Sequence, residues 1–185
     1  MRYTNLVFLN IFIFTVFWAQ NNMDHFSQIR RNLLGTKYQY ILSFEKKQNE
    51  YFLDEKASTE DRLVYRGNVL DENAKIIYLF RFQRLIGFMY IWEINKQNNF
   101  FIEQLQILLK SKYQNNGSKT IKTSQGEIFY YFYSTAEQKE KHEMIHINLE
   151  HILFSDANNK KIIILEFQPY DADSLLKNKI LNEDI

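Results

Sequence analysis

The sequence predicts an α+β fold in which an antiparallel sheet carries helices on one face. Three observations in the 185 residues support this prediction. Runs of β-branched and aromatic residues are separated by short polar turns, which is typical of antiparallel strands. Two stretches have the apolar spacing of amphipathic helices. Two short segments also recur in the same order in each half of the chain, which indicates two related units.

In the first half, a helix is expected to begin at a cap on Asp24 and to end at Gly35. The alternation of apolar and polar residues over 38–44 predicts a half-buried strand. Three β-rich runs predict further strands at residues 62–70, 75–82 and 84–94.

In the second half, Phe101, Leu105 and Leu108 form one apolar stripe, which predicts a helix over about 99–113. The polar stretch around residues 115–125 is interpreted as an insertion relative to the first half. Strands are predicted at 126–133, at about 144–154 and at 161–168. Pro169 should end the last of them, and residues 171–181 should form a closing helix.

The internal repeat rests on two matched pairs of segments. Residues 33–39 match residues 108–114, and residues 75–79 match residues 161–165. Because both pairs occur in the same order, we expect two related helix-plus-strands units, at about 24–94 and 99–168. Together with the C-terminal helix, they are expected to form a single α+β domain over 21–185.

The N-terminus is typical of a bacterial secretory signal. Arg2 precedes a stretch from Leu6 to Trp18 that is almost wholly apolar. This stretch is shorter than the roughly 20 residues that a membrane-spanning helix needs. We therefore expect residues 1–20 to be an export signal peptide and the mature chain to be periplasmic or extracellular. Retention of residues 1–20 as a membrane anchor is the alternative.

Charge and cysteine content exclude several classes of protein. Without residues 1–20, which contain one arginine and no acidic residue, the chain has 22 basic and 22 acidic residues. Such a neutral chain is not expected to bind nucleic acid, which favours a clustered positive excess. The absence of cysteine excludes disulfides, thiol catalysis and cysteine-ligated metals.

One motif suggests chemistry. Residues 142–146 read His-Glu-Met-Ile-His, which is similar to the active-site signature of the zinc metallopeptidases called zincins. The resemblance implies that His142 and His146 bind zinc and that Glu143 is the general base, with Glu166 as a possible third ligand.

The same stretch also fits a strand. Ile145, Ile147 and Leu149 alternate with polar residues, which is a strand pattern. In a strand, residues four apart are separated by about 13 Å, which is too far for two histidines to share one zinc ion. This pattern favours a protein without a metal site.

The aromatic run at residues 130–133 suggests a binding surface. In a strand, Tyr131 and Tyr133 share one face, and Tyr130 and Phe132 share the other. Tyrosines that protrude from a sheet supply large contact areas for a protein or a glycan. We expect Tyr131 and Tyr133 to contact a partner, and packing of the run in the core is the alternative.

Duplicated helix-plus-strands units resemble small exported binding and inhibitor domains of the tandem-repeat type. This resemblance implies a non-enzymatic interaction protein of the bacterial envelope or exterior, without a cofactor and with an unidentified protein or glycan partner. The alternative function is a small zinc-dependent metallopeptidase that uses the motif at 142–146.

Overall fold

The computed structural model describes residues 33–95, 100–135, 145–154 and 160–176. These residues form an eight-stranded antiparallel sheet and three short helices, mostly sheet, roughly as the α+β prediction expects. The expected export signal at 1–20 and most of the first predicted helix lie outside the described residues, as do His142 and Glu143.

Helices and strands follow one another in two series along the chain. The first series is α1 (Tyr38–Gln48), β1 (Phe52–Leu53), β2 (Arg62–Val69), β3 (Glu72–Arg81) and β4 (Arg84–Asn95). The second series is α2 (Phe100–Lys112), β5 (Gln114–Thr123), β6 (Gly126–Ser134), β7 (Ile145–Phe154) and β8 (Lys160–Pro169). A helical turn at residues 172–176, named α3, follows β8.

The sheet consists of two four-stranded meanders that join where β4 pairs with β8. The strand order is β1-β2-β3-β4-β8-β7-β6-β5, and every neighbouring pair is antiparallel. A helix precedes four strands in each series. The matched segments do not occupy equivalent strands, because residues 75–79 lie in β3 and residues 161–165 lie in β8. The internal duplication therefore stays a prediction.

The strand predicted over residues 38–44 is wrong, because these residues begin the helix α1. Tyr38, Ile41, Leu42 and Glu45 have the spacing of one helix face, and Ile41 and Glu45 are completely buried. Ile41 interrupts the two-residue alternation of this stretch, and its complete burial follows the helical repeat instead.

The stretch around residues 115–125, interpreted as an insertion relative to the first half, forms the edge strand β5, which the apolar pattern did not predict. Nearly every side chain of β5 is exposed, so the strand needs no apolar pattern. Lys119 and Lys122 place charge along this edge, which discourages pairing with other chains. The predicted helix at 99–113 is confirmed by α2, and the remaining predicted strands are confirmed as β2, β3, β4, β6, β7 and β8.

One face of the sheet, here called the core face, is completely buried over the central strands. Its side chains include Tyr78, Phe88, Tyr90, Trp92, Ile147, Leu149, Ile163, Leu165 and Phe167. Phe88 and Phe167 stack with their ring centroids 4.7 Å apart, across the pairing of β4 with β8. The indole nitrogen of Trp92 donates a hydrogen bond to the carbonyl oxygen of Val69 at 3.1 Å.

Both long helices make contacts with core-face residues. Phe101 of α2 lies against Trp92, with ring centroids 5.3 Å apart. The Tyr78 hydroxyl donates a hydrogen bond to the carboxylate of Glu45 on α1. Within the four described ranges, no helix has the length and apolar character that crossing a bilayer requires.

Candidate functional site

The opposite side of the sheet, here called the outer face, is formed by the residues that alternate with the core face. Many of its side chains are apolar and only half-buried, namely Ile77, Met89, Ile91, Ile121, Ile128, Tyr130, Phe132, Ile152, Ile162 and Ile164. An antiparallel sheet with one solvated face usually has polar residues at such positions. The outer face is therefore more apolar than the solvated face of an antiparallel sheet usually is.

The strand register makes the apolar residues of the outer face contiguous. Ile91 on β4 lies opposite Ile164 on β8. A second row runs from Ile162 through Ile152 and Ile128 to Ile121, across β8, β7, β6 and β5. Directly opposite residues have Cβ atoms about 5 Å apart, so each row is a continuous surface. The rings of Tyr130 and Phe132 extend this surface and stack with centroids 6.2 Å apart.

Two carboxylates lie within this apolar surface. Glu166 accepts hydrogen bonds from the side-chain amides of Asn148, at 3.3 Å, and Gln168, at 2.5 Å. Glu150 lies on the neighbouring strand, opposite Ile164. Burial raises the pKa of Glu150 above its ordinary value, and the nearby Glu166 raises it further. A positive group placed here would be attracted to both carboxylates.

The residues of the predicted zinc site are only partly described. His146 is in β7, an extended strand, and its ring stacks on Tyr170 with centroids 4.9 Å apart. Glu166 shares the outer face with His146, since Gln168 is the cross-strand partner of His146. His142 and Glu143 lie outside the described residues. Among the residues that are described, no group of three or more His, Asp or Glu side chains is arranged to hold a metal ion.

Of the two tyrosines expected to contact a partner, Tyr133 is buried and Tyr131 is only partly exposed. Tyr133 is 1% exposed and lies on the core face opposite Ile147. Tyr131 is half-buried and packs against the core. Within the run at residues 130–133, Tyr130 and Phe132 lie on the outer face. The sequence alternation assigns these pairs to opposite faces, but it does not say which pair faces the core, because both are aromatic.

The core face also contains two buried basic residues, one on β7 and one on β8. His151 is 8% exposed, and its Nε2 atom has no hydrogen-bond partner among the described residues. Burial lowers the pKa of His151 to about 4, and the nearby Lys161 contributes to the shift. Lys161 is fully buried, and burial lowers its pKa while Glu103 on α2 opposes the shift.

The alternating pattern of β7 indicates that His151 is buried. It follows Ile145, Ile147 and Leu149 at every second position, so it takes the same face as these three residues. The ring of His151 lies against Phe129 with centroids 5.6 Å apart.

No protein-family model, curated protein or solved structure significantly matches this chain. Its function is therefore inferred from its own residues.

Proposed function

We propose that this chain is an exported, non-enzymatic binding protein that holds a protein partner on the outer face of its sheet. The observation that carries the proposal is the continuous row of half-buried isoleucines from Ile162 to Ile121. Contiguous apolar surface of this kind is typical of protein-interaction sites. The interaction would remove the row from water, which is the main favourable contribution to protein association.

The carboxylates of the outer face suggest the chemistry of the partner. Glu150 lies opposite Ile164, so charge and apolar surface are adjacent. Burying Glu150 and Glu166 without a counter-charge would be costly, because an unpaired charge loses its hydration. The partner surface therefore carries apolar side chains together with at least one lysine or arginine.

The proposal includes the expected architecture of two related units with both helices on the core face. It is supported by the order of elements, since a helix precedes four antiparallel strands in each series. It is also supported by two contacts, from Glu45 on α1 to Tyr78 and from Phe101 on α2 to Trp92.

Export is the second part of the proposal. Its support is the charged start and apolar stretch of residues 1–20. Expression of the full-length chain in a Gram-negative host, followed by N-terminal sequencing of the periplasmic product, tests it. A mature chain that begins near Asn21 is expected, and an unprocessed chain in the cytoplasm would contradict export.

The binding function is tested with a matched pair of charge substitutions. Ile164→Lys places a positive charge within the outer face, where it repels a basic partner and interrupts the apolar surface. Ile107→Lys makes the same change on the surface of α2, where Ile107 is 62% exposed. The partner is isolated by cross-linking in the producing cell, purified, and titrated calorimetrically with each variant.

We expect Ile164→Lys to weaken partner affinity at least about tenfold, since central contacts of an interface often contribute more than 1 kcal/mol. Ile107→Lys should bind like the unmodified chain. Equal affinities for the two variants would exclude the outer face as the binding surface.

A different measurement distinguishes the metallopeptidase alternative from the binding function. Zinc content per chain is determined for the untagged protein and for His146→Ala. About one zinc per chain, lost in His146→Ala, would contradict a non-enzymatic role, and peptidase assays with Glu143→Gln would follow.

A further inference from the structure

A groove lies between α1 and residues 51–60, away from the outer face. It contains two cavities, of about 560 Å³ and about 450 Å³, which meet at Leu42 and Leu53 because these two residues line both. Both volumes fall in the range of roughly 300–1,000 Å³ that is usual for ligand sites.

The dimensions of the groove suit an extended peptide. Its lining residues on the helix side run from Tyr38 to Asn49, along the whole of α1. At about 1.5 Å of rise per residue, a helix of this size is about 16 Å long. An extended peptide advances about 3.3 Å per residue, so about five residues fit along the groove.

The first cavity has uncompensated negative charge. Glu55 and Glu60 line it, and neither has an ion-pair partner among the residues that the structure describes. Asp54 differs, because it pairs with Arg66 at 2.6 Å, and its hydrogen bond with Arg66 lowers its pKa. Residues 50–61 contain five acidic residues and one lysine, so the surrounding wall is also negative. This end of the groove favours a basic group.

The second cavity is bounded by aromatic side chains. Tyr51, Phe52 and Tyr65 line it together with the two leucines that it shares with the first cavity. The helix side adds polar residues, namely Ser43, Glu45, Lys46 and Asn49. Phe52 is 78% exposed, which is unusual for a large apolar side chain at the edge of a sheet. A bulky apolar side chain bound in this cavity would cover Phe52 and remove both surfaces from water.

We propose that the groove between α1 and residues 51–60 binds an extended peptide segment with a lysine or arginine in the first cavity and a bulky apolar side chain in the second. The two side chains are about two residues apart, given the length of the groove and the extended repeat. This site is separate from the outer face, and it requires no partner there.

The probe is a fluorescein-labelled pentapeptide, acetyl-Lys-Ala-Phe-Leu-Ala-amide, titrated with the full chain by fluorescence anisotropy. Two companion peptides replace the lysine with glutamate or the Phe-Leu pair with Ser-Ser. We expect saturable binding of the first peptide, at least about fivefold tighter than either companion. Raising the salt from about 50 mM to about 300 mM should weaken the binding of the lysine peptide, because screening acts on exposed charges.

Two variants test the charged end. Glu55→Gln combined with Glu60→Gln should weaken binding of the lysine peptide about fivefold. The same double variant should not weaken binding of the glutamate peptide. The control combines Asp71→Asn with Glu127→Gln, which removes two negative charges outside the groove. The control should bind the lysine peptide like the unmodified chain.

A second pair of variants tests the aromatic end without affecting folding. Phe52→Ser should weaken binding of the lysine peptide about threefold or more, because it removes the exposed wall of the second cavity. Phe100→Ser changes the same residue type at a 64% exposed position on α2 and should have no effect.

Three outcomes would overturn the proposal. Failure of the lysine peptide to saturate the unmodified chain up to about 1 mM would show that the groove is not a peptide site of useful affinity. Equal affinity of the lysine and glutamate peptides would contradict the role of Glu55 and Glu60 in binding a basic group. Equal losses in the groove variants and their matched controls would place the binding elsewhere on the chain.

Discussion

The core face and the outer face of the sheet are built from the same strands, yet their apolar residues differ in how deeply they are buried. On β8, Ile163 is completely buried in the core, whereas its neighbour Ile164 is half-buried on the outer face. The core face obtains its stability from close packing with aromatic rings and with residues of α1 and α2. The outer face keeps apolar surface that packing does not use, and this surface is the basis of the proposed binding function.

Titratable groups lie on both faces of the sheet. The buried titratable groups at one end of the core face are basic, His151 and Lys161. The carboxylates Glu150 and Glu166 lie on the outer face. A charge in the core must be tolerated by the fold, whereas a charge on the outer face can be matched by a partner.

The largest expected effect compares two adjacent isoleucines. Ile163→Ala leaves a cavity in the core and should lower the free energy of unfolding by about 3 kcal/mol, within the usual range of 2–5 kcal/mol. Ile164→Ala on the outer face should cost about 1 kcal/mol, because its side chain is already partly in contact with water. Urea denaturation of both variants measures the difference, and equal losses would show that the outer face is packed like the core.

The next effect concerns a histidine on each face. His151 has its pKa lowered to about 4, while an unfolded histidine titrates near 6.5. Between these values the unfolded chain binds a proton that the folded chain does not. Stability is therefore fully present above about pH 6.5 and is lost as the pH falls toward 4, by up to about 3 kcal/mol.

Denaturation curves at several pH values, for the unmodified chain and for His151→Leu, measure this loss. The stability difference between the two chains should change through this pH window, with His151→Leu less sensitive to acid. His146→Leu is the matched control, because it removes a histidine from the outer face without changing the core. An unchanged acid response in His151→Leu would contradict the buried, neutral state of His151.

The smallest expected effect compares two buried hydroxyls of the core face. Tyr78→Phe removes the hydrogen bond to the fully buried Glu45 and should cost about 1–3 kcal/mol, since the carboxylate loses a donor. The Tyr133 hydroxyl has no hydrogen-bond partner among the described residues, and burial raises its pKa. Tyr133→Phe should therefore be neutral or stabilising by up to about 1 kcal/mol. Thermal unfolding of both variants measures this, and similar losses would show that Tyr133 has a polar partner.

Periodicity by itself determined most of the elements. The apolar stripe of α2 and the alternating pattern of β7 are local signals, because each depends on residues only a few positions apart. The pattern of β7 also indicates that His146, a residue of the predicted zinc motif, lies in a strand. The two-residue repeat in β6 separated Tyr130 and Phe132 from Tyr131 and Tyr133.

The tertiary structure decided the features that depend on distant residues. Residues 38–48 form a helix because Ile41 and Glu45 pack on one side of it, where Glu45 meets Tyr78 from β3. β5 is a strand because it pairs with β6, although nearly all of its side chains are polar and exposed. Tyr133 faces the core because β6 pairs with β7 in the register that places it opposite Ile147. Local patterns specify which residues share a face, but only the pairing of distant strands specifies which face is buried.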